Sequence, residues 1–278
     1  MTAKSTTIGI KPTSYLQVGT NSQNFVTGEI IEETPVALYI NAQEWVTLMC
    51  TPVNLDDLIL GFLLAEGIIT SMADVELLDI THKGAVVDVW LRHQVSLPQR
   101  RTLTSGCVGG MTFTELTLPQ SDPSTNDNST TDVHQKDSRL FTRKQVFNLM
   151  RQLQEAAILY PRSQGVHTSA LSDGETLLMV REDVGRHNTL DKVRGACFQQ
   201  NIPTANNILL TTGRISSEML QKTAAMDVPI VISRTSPTSL SVKMAELQGI
   251  TLVGYVRGHR MRVYTKTWRL SSDDGMKF

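Results

Sequence analysis

Asn207-Ile-Leu-Leu-Thr-Thr-Gly-Arg-Ile-Ser-Ser217 and Pro229-Ile-Val-Ile-Ser-Arg-Thr-Ser-Pro237 share one pattern. Each begins with a short apolar run, passes through small residues and one arginine, and ends on a hydroxyl residue suited to open a helix. Two further apolar runs, Thr176–Val180 and Ile250–Val256, flank them. Helices fit the gaps. The first takes Asn188 as cap with Asp191 three residues on; the second starts at Ser216. The third has Ser236 as cap, Pro237 at its first position and Gly249 at its close. Strands and helices alternating over such short connections predict an α/β fold, with a mostly parallel sheet covered by helices on both faces.

In such sheets ligands bind beyond the carboxyl ends of the strands. Those ends read Arg181-Glu-Asp-Val-Gly-Arg-His-Asn188, Thr212-Gly-Arg-Ile-Ser-Ser217, Arg234-Thr-Ser-Pro-Thr-Ser239 and Tyr255-Val-Arg-Gly-His-Arg-Met-Arg262. Every one carries arginine. Guanidinium forks beside helix N-termini make an anion site, most naturally for phosphates. Arg186, His187, Arg214, Arg234, Arg257 and Arg260 are the candidates. His187 suits a hydrogen-bond donor or an acid/base better than a metal ligand, and His167 fits a structural role as well as a catalytic one. Glu182 and Asp183 are suited to pair with arginines or to accept from a purine or pterin edge. No dinucleotide or Walker fingerprint is present. No close-spaced ligand pairs point to a metal.

Upstream, a helix opens at Thr142 with Gln145 completing a capping box and buries Val146, Leu149, Met150 and Leu153. Residues 119–139 are almost wholly polar and predict a flexible linker or loop. That stretch divides the chain into an N-terminal domain, 16–118, and a C-terminal domain, 140–270. The N-terminal domain is the smaller, mixed α+β one. After a ragged start to about Tyr15, a hairpin is expected between Gly28 and Cys50 with its turn at Asn41–Gln43. Next comes a helix from the cap Asn54 to Gly67, apolar around most of its circumference and so buried on more than one side. Strand-like runs follow at Val75–Ile80 and Ala85–Leu91.

Thr104-Ser-Gly-Cys-Val-Gly-Gly110 ends this domain. Its glycines allow backbone conformations closed to other residues and can present the Cys107 thiol to a partner. Arg100 and Arg101 lie just upstream, and nearby positive charge favours the reactive thiolate. Cys50 and Cys197 fall within apolar patterns and read as core.

The 278 residues carry 26 Lys and Arg against 27 Asp and Glu, a net charge of −1. Bulk nucleic-acid binding is thereby excluded, and any anion site has to be local. Three cysteines make no disulfide framework. Without a signal-like start or a membrane-length apolar run, a cytoplasmic protein is expected, with no membrane partner.

Together these stretches resemble the formate dehydrogenase accessory sulfurtransferase family (FdhD/NarQ). The likeness covers 51–69, Ser105-Gly-Cys107, 165–171, Arg181–Asn188 with Asp191 and Lys192, 212–219, Ser236-Pro-Thr238 and 251–257. Arg181–Asn188 is its most specific part. The resemblance implies a homodimeric sulfurtransferase that takes sulfur from a cysteine desulfurase as a persulfide on Cys107. It implies delivery to the molybdenum (or tungsten) bis-molybdopterin guanine dinucleotide cofactor, which formate dehydrogenase needs. The cofactor is then ligand and substrate, with no metal ion of the protein's own. Its guanine nucleotide end is expected on Tyr255, Val256, Arg257, Gly258, His259 and Arg260. For the C-terminal domain the resemblance implies a three-layer α/β/α arrangement like the cytidine deaminase fold, without that fold's zinc signature.

One departure matters. Many relatives carry Cys-x-x-Cys in the loop, where this chain has Gly110 at the second position. Either one cysteine suffices for the relay, or this member binds cofactor and transfers sulfur poorly. The alternative function is a non-catalytic cofactor carrier that holds the guanine nucleotide arms. A nucleotide-processing hydrolase, the third reading, is disfavoured by the missing metal signature.

Overall fold

The computed structural model describes residues 9–96, 102–103, 111–112 and 140–271. The polar stretch 119–139 and the Cys107 segment lie outside the described residues.

The chain opens with an antiparallel pair, β1 (Ile10–Val18) and β2 (Gln23–Ile31), where the sequence suggested a ragged start. Residues β3 (Thr34–Ile40) and β4 (Gln43–Cys50) then form the expected hairpin. Its turn residues Asn41 and Ala42 both have positive φ, as a tight two-residue hairpin requires. Helix α1 (Leu55–Ala65) follows, then β5 (Val75–Thr81) and β6 (Val86–Leu91). The four strands make one sheet in the order β4-β3-β6-β5, and α1 packs its apolar residues on that sheet. Asn54 does not cap α1 with its side chain; it sits in left-handed backbone ahead of the helix. The short strands β7 (Thr102–Leu103) and β8 (Met111–Thr112) pair antiparallel, with Leu103 opposite Met111. They bracket the segment that contains Cys107.

The second half runs β9 (Phe141–Thr142), α2 (Arg143–Glu155), α3 (Tyr160–Ser163), β10 (His167–Ser172) and β11 (Leu177–Asp183). It continues through α4 (Arg186–Gln199), β12 (Ile208–Thr211), α5 (Ser217–Ala224), β13 (Ile230–Ser233) and α6 (Ser239–Leu247). The last elements are β14 (Thr251–Arg257), β15 (Arg260–Val263) and β16 (Leu270–Ser271). Six strands form the main sheet in the order β11-β10-β12-β13-β14-β15.

That sheet is mixed, not mostly parallel: β12/β13 and β13/β14 pair parallel, the other neighbours antiparallel. The cause is β10, a strand that the sequence reading did not include. Only residues 173–176 join β10 to β11, and so short a link permits only an antiparallel neighbour. The Asp173 carboxylate accepts from Glu175 N and Thr176 N to close it. Inserting β10 leaves β11, β12, β13 and β14 running in one direction. Their carboxyl ends therefore share one edge, as the strand-end reading required.

Helices α4, α5 and α6 cover one face of the sheet and α2 the other. Capping differs in detail from expectation. Gly185, not Asn188, precedes α4, and Thr238 with Ser241, not Ser236, makes the box at α6. Ser216 and the Thr142–Gln145 box behave as expected.

The two halves meet where α1 crosses α4. A Cβ on Gly61 would lie 1.8 Å from the Asp191 carbonyl oxygen, and one on Gly195 would lie 1.9 Å from that of Asp57. Only glycine allows this approach. It leaves α4 enclosed between the main sheet and α1, which explains why the helix shows no polar outer stripe.

Candidate functional site

The most specific stretch of the sequence, Arg181–Asn188, crosses from the end of β11 into α4. Its first three residues are spent on the fold. Arg181 Nε donates to Asp57 Oδ2 of α1 at 2.6 Å. Glu182 accepts the backbone N–H groups of Ile158, Leu159 and Tyr160 at 2.7, 2.7 and 3.0 Å, which fixes the entry to α3. Asp183 is fully buried and pairs with the equally buried Lys192 Nζ at 2.6 Å. It also accepts from Thr51 N, Gly185 N and the Asn188 side chain. Lys192 donates further to the carbonyls of Thr51 and Glu182. Nearly every polar atom of the pair is thus satisfied, the condition for tolerating charge without water. Of the two roles open to Glu182 and Asp183, neither falls to a purine or pterin edge. Glu182 serves backbone donors, and Asp183 serves a lysine.

Arg186 and His187 occupy the first turn of α4 at the crest of the sheet. Both are buried. Arg186 packs its Cβ at Gly213, where an added methyl would come within 2.9 Å. His187 Nε2 lies 3.1 Å from Glu218 Oε2 and 3.3 Å from Ser216 Oγ, both at the start of α5. His167, opening β10, sits opposite Asp183. Burial holds its pKa below the usual histidine value, and Arg186 pushes in the same direction. Arg214 is exposed on the same crest. Glu218 and Lys192 fall within the stretches that carry the resemblance, but sequence reasoning gave neither a role. The signal available was their polar character within otherwise apolar helical patterns.

Tyr255–Arg260 belongs to a second feature. The β14–β15 hairpin and one side of α2 enclose a groove of about 1370 Å³. All six of these residues line it, joined by Arg262 on β15 and by Arg143, Lys144 and Phe147 on α2. No Asp or Glu lines the groove among the described residues. Gly258 has positive φ and makes the hairpin turn. Arg262 stacks on the Tyr255 ring at 4.2 Å. Arg257 Nε donates to the Arg234 carbonyl at 3.0 Å, so Arg234 touches the hairpin through its backbone. The structure therefore divides the candidate residues. Tyr255 to Arg260 share the groove, whereas Arg186, His187, Arg214 and Arg234 lie along the crest and are not among its lining residues.

Two of the three thiols are closed to chemistry. Cys50 is fully buried and Cys197 nearly so. Burial pushes the pKa of each up to about 12. Neither supplies thiolate near neutral pH. Cys107 lies outside the described residues. Among the described residues no group of three or more His, Cys, Asp or Glu side chains is placed to hold a metal ion. No helix there is long and apolar enough to cross a membrane.

Comparison with known proteins agrees across most of the chain. Residues 31–271 match the model of the FdhD/NarQ family. The chain is 37% identical over 249 residues to the sulfur carrier protein FdhD of Bacillus pumilus (strain SAFR-032), covering 88% of this chain and 91% of that one. It is 34% identical over 250 residues to the sulfur carrier protein FdhD of Listeria monocytogenes serotype 4b (strain F2365), covering 88% and 93%. A crystal structure described as a formate dehydrogenase accessory protein, from Desulfotalea psychrophila, superposes with a TM-score of 0.73. It is 25% identical, and the match covers 94% of this chain and 99% of that one.

Proposed function

Because the chain belongs to the FdhD/NarQ family, we propose that it is a sulfur carrier for formate dehydrogenase maturation and that Cys107 carries the sulfur. The observation that bears most weight is the burial of the other two thiols. With Cys50 and Cys197 held protonated in the cores, Cys107 is the one cysteine left to act.

The donor is a cysteine desulfurase bearing a persulfide. Cys107 thiolate attacks the terminal sulfur; a new S–S bond forms at Cys107 and the donor cysteine leaves as thiolate. Handover to the molybdenum (or tungsten) bis-molybdopterin guanine dinucleotide cofactor as sulfide takes two electrons from a dithiol reductant, which leaves as its disulfide, and returns Cys107 as thiolate. The cofactor is cargo, and its diphosphates suit a groove lined by Arg257, Arg260 and Arg262, with no carboxylate among the described residues. The crest arginines Arg186, Arg214 and Arg234 extend the positive charge beyond the groove, and His187 stands beside them as a further contact for the cargo. The protein works as a homodimer in the cytoplasm. With this function goes the expected kinship of the C-terminal half with the cytidine deaminase fold. Gly110 removes any resolving thiol from the loop, so the persulfide waits on a single cysteine.

The test is Cys107→Ala in a strain lacking the wild-type gene. Formate dehydrogenase activity is expected to fall to the level of the deletion. Full activity from the variant defeats the sulfur-carrying role and leaves the non-catalytic carrier.

A further inference from the structure

The outer face of the N-terminal sheet has no role in the function proposed above. Leu38, Ile40, Val87 and Val89 point inward to the core shared with α1, so their neighbours along each strand stand on the opposite face. One row there crosses all four strands. Glu44 of β4 lies opposite Tyr39 of β3, Tyr39 beside Asp88 of β6, and Asp88 opposite Asp79 of β5. In the next row Trp90 stands opposite Leu77, 45% and 52% exposed. We infer that this face docks the sulfur donor, a protein that presents lysine or arginine side chains around an apolar contact. The inference rests on the reading of the chain as a sulfur carrier.

Charge selects that occupant first. Like charges directly opposite each other destabilise a ladder, and Asp79 and Asp88 are such a pair. Tyr39, between Glu44 and Asp88, feels both: its phenol is held above the usual tyrosine pKa, chiefly by Glu44. Elsewhere on the surface the chain pairs its carboxylates. Glu32 meets Lys11, Glu29 meets Arg162, Glu155 meets Arg151 and Glu246 meets Lys266. Glu44, Asp79 and Asp88 are in no ion pair among the described residues. Cations brought by a partner relieve the row, and complementarity of this kind speeds encounter and selects the partner. Trp90 and Leu77 then separate a protein from a bare cation. An exposed aromatic beside an aliphatic chain is the centre of a protein interface, and an ion has no use for it. Chain order chooses the donor over the client. Strand β6 ends at Leu91 and the same half of the chain runs on to Cys107, whereas the proposed cargo groove belongs to the other half. Docking itself changes no bond; it brings the donor's persulfide to the domain whose Cys107 attacks it.

The experiment measures, by mass spectrometry, the sulfur gained by Cys107 of the full chain at increasing concentrations of a cysteine desulfurase with cysteine. Inorganic polysulfide serves separately as a donor that needs no docking. Asp79→Asn/Asp88→Asn is expected to need about tenfold more desulfurase for half-maximal loading and to show a weaker dependence on salt than wild type. Leu77→Ala/Trp90→Ala is expected to need a similar excess, about tenfold, with the salt dependence kept. Both variants are expected to load from polysulfide as wild type does. Glu246→Gln, a carboxylate elsewhere on the surface, is expected to match wild type with either donor. Removal of the like-charge pair should leave Asp79→Asn/Asp88→Asn melting no lower than wild type; a lower melting temperature makes the row a structural feature and overturns the inference. Unchanged desulfurase loading in both double variants overturns it too. So does dissociation of either double variant from dimer to monomer in sedimentation, which makes the face an interface between copies. Calcium binding that Asp79→Asn/Asp88→Asn abolishes while desulfurase loading stays unchanged makes the row a cation site instead. If wild type loads from polysulfide alone, docking of the donor falls and the sulfur-carrying cysteine stands. If wild type loads from neither donor, the sulfur-carrier reading falls, and the inference with it.

Discussion

Two arginine-bearing stretches, 181–188 and 255–262, look alike in sequence and serve opposite ends. In the first, Arg181, Glu182 and Asp183 are consumed by the fold: an ion pair to α1, a clasp on the start of α3, and a dry pair with Lys192. In the second, Arg257, Arg260 and Arg262 have no carboxylate in their groove among the described residues. Charge that is buried and satisfied binds the protein to itself. Charge left without a counter-ion in a groove is available for a ligand. The most specific run of residues is therefore mainly a joint between the two halves, and the proposed binding surface lies in a stretch of plainer appearance.

This contrast breaks most readily at Lys192. Lys192→Met leaves Asp183 as a lone buried charge and is expected to cost about 3–5 kcal/mol in urea unfolding. Arg257→Ala is expected to lie within about 0.5 kcal/mol of wild type. Equal losses at the two sites erase the distinction. Ligand linkage should show the next largest effect. At a hundredfold excess over its Kd, GDP is expected to add about 2.7 kcal/mol of stability. That gain should disappear in Arg257→Ala/Arg260→Ala and persist in Arg151→Ala, as thermal unfolding reports.

A smaller effect belongs to His167. Burial depresses its folded pKa below 6.5, so the folded protein binds fewer protons there than the unfolded chain. Its contribution to stability is complete above about pH 6.5 and is lost as pH falls toward the folded value. His167→Gln should flatten the acid limb of the stability profile below about pH 6.5. An unchanged limb assigns that loss to other groups.

Much of the fold was legible in local pattern. The apolar runs that became β12, β13 and β14, the β3–β4 hairpin and the Thr142 capping box follow from periodicity and turn chemistry, which act over a few residues. The errors come from partners distant in sequence. Asn188 has the chemistry of a cap, yet its side chain donates to the Met49 carbonyl and to Asp183, which frees Gly185 to open α4. Strand β10 hid because His167-Thr-Ser-Ala-Leu-Ser172 is small and polar, and its burial depends on neighbours on both sides. The groove's second wall was invisible for the same reason. Arg143 and Lys144 meet the hairpin only because α2 packs across the sheet. Cys50 and Cys197 were readable as core, since each sits in an apolar pattern that burial confirms.

The sulfur-carrying role is tested most directly by mass spectrometry of the chain after incubation with a cysteine desulfurase and cysteine. Wild type and Cys50→Ser/Cys197→Ser are expected to gain one sulfur atom on the peptide containing Cys107, and Cys107→Ser to gain none. Sulfur found on Cys50 or Cys197, or retained by Cys107→Ser, would contradict the account.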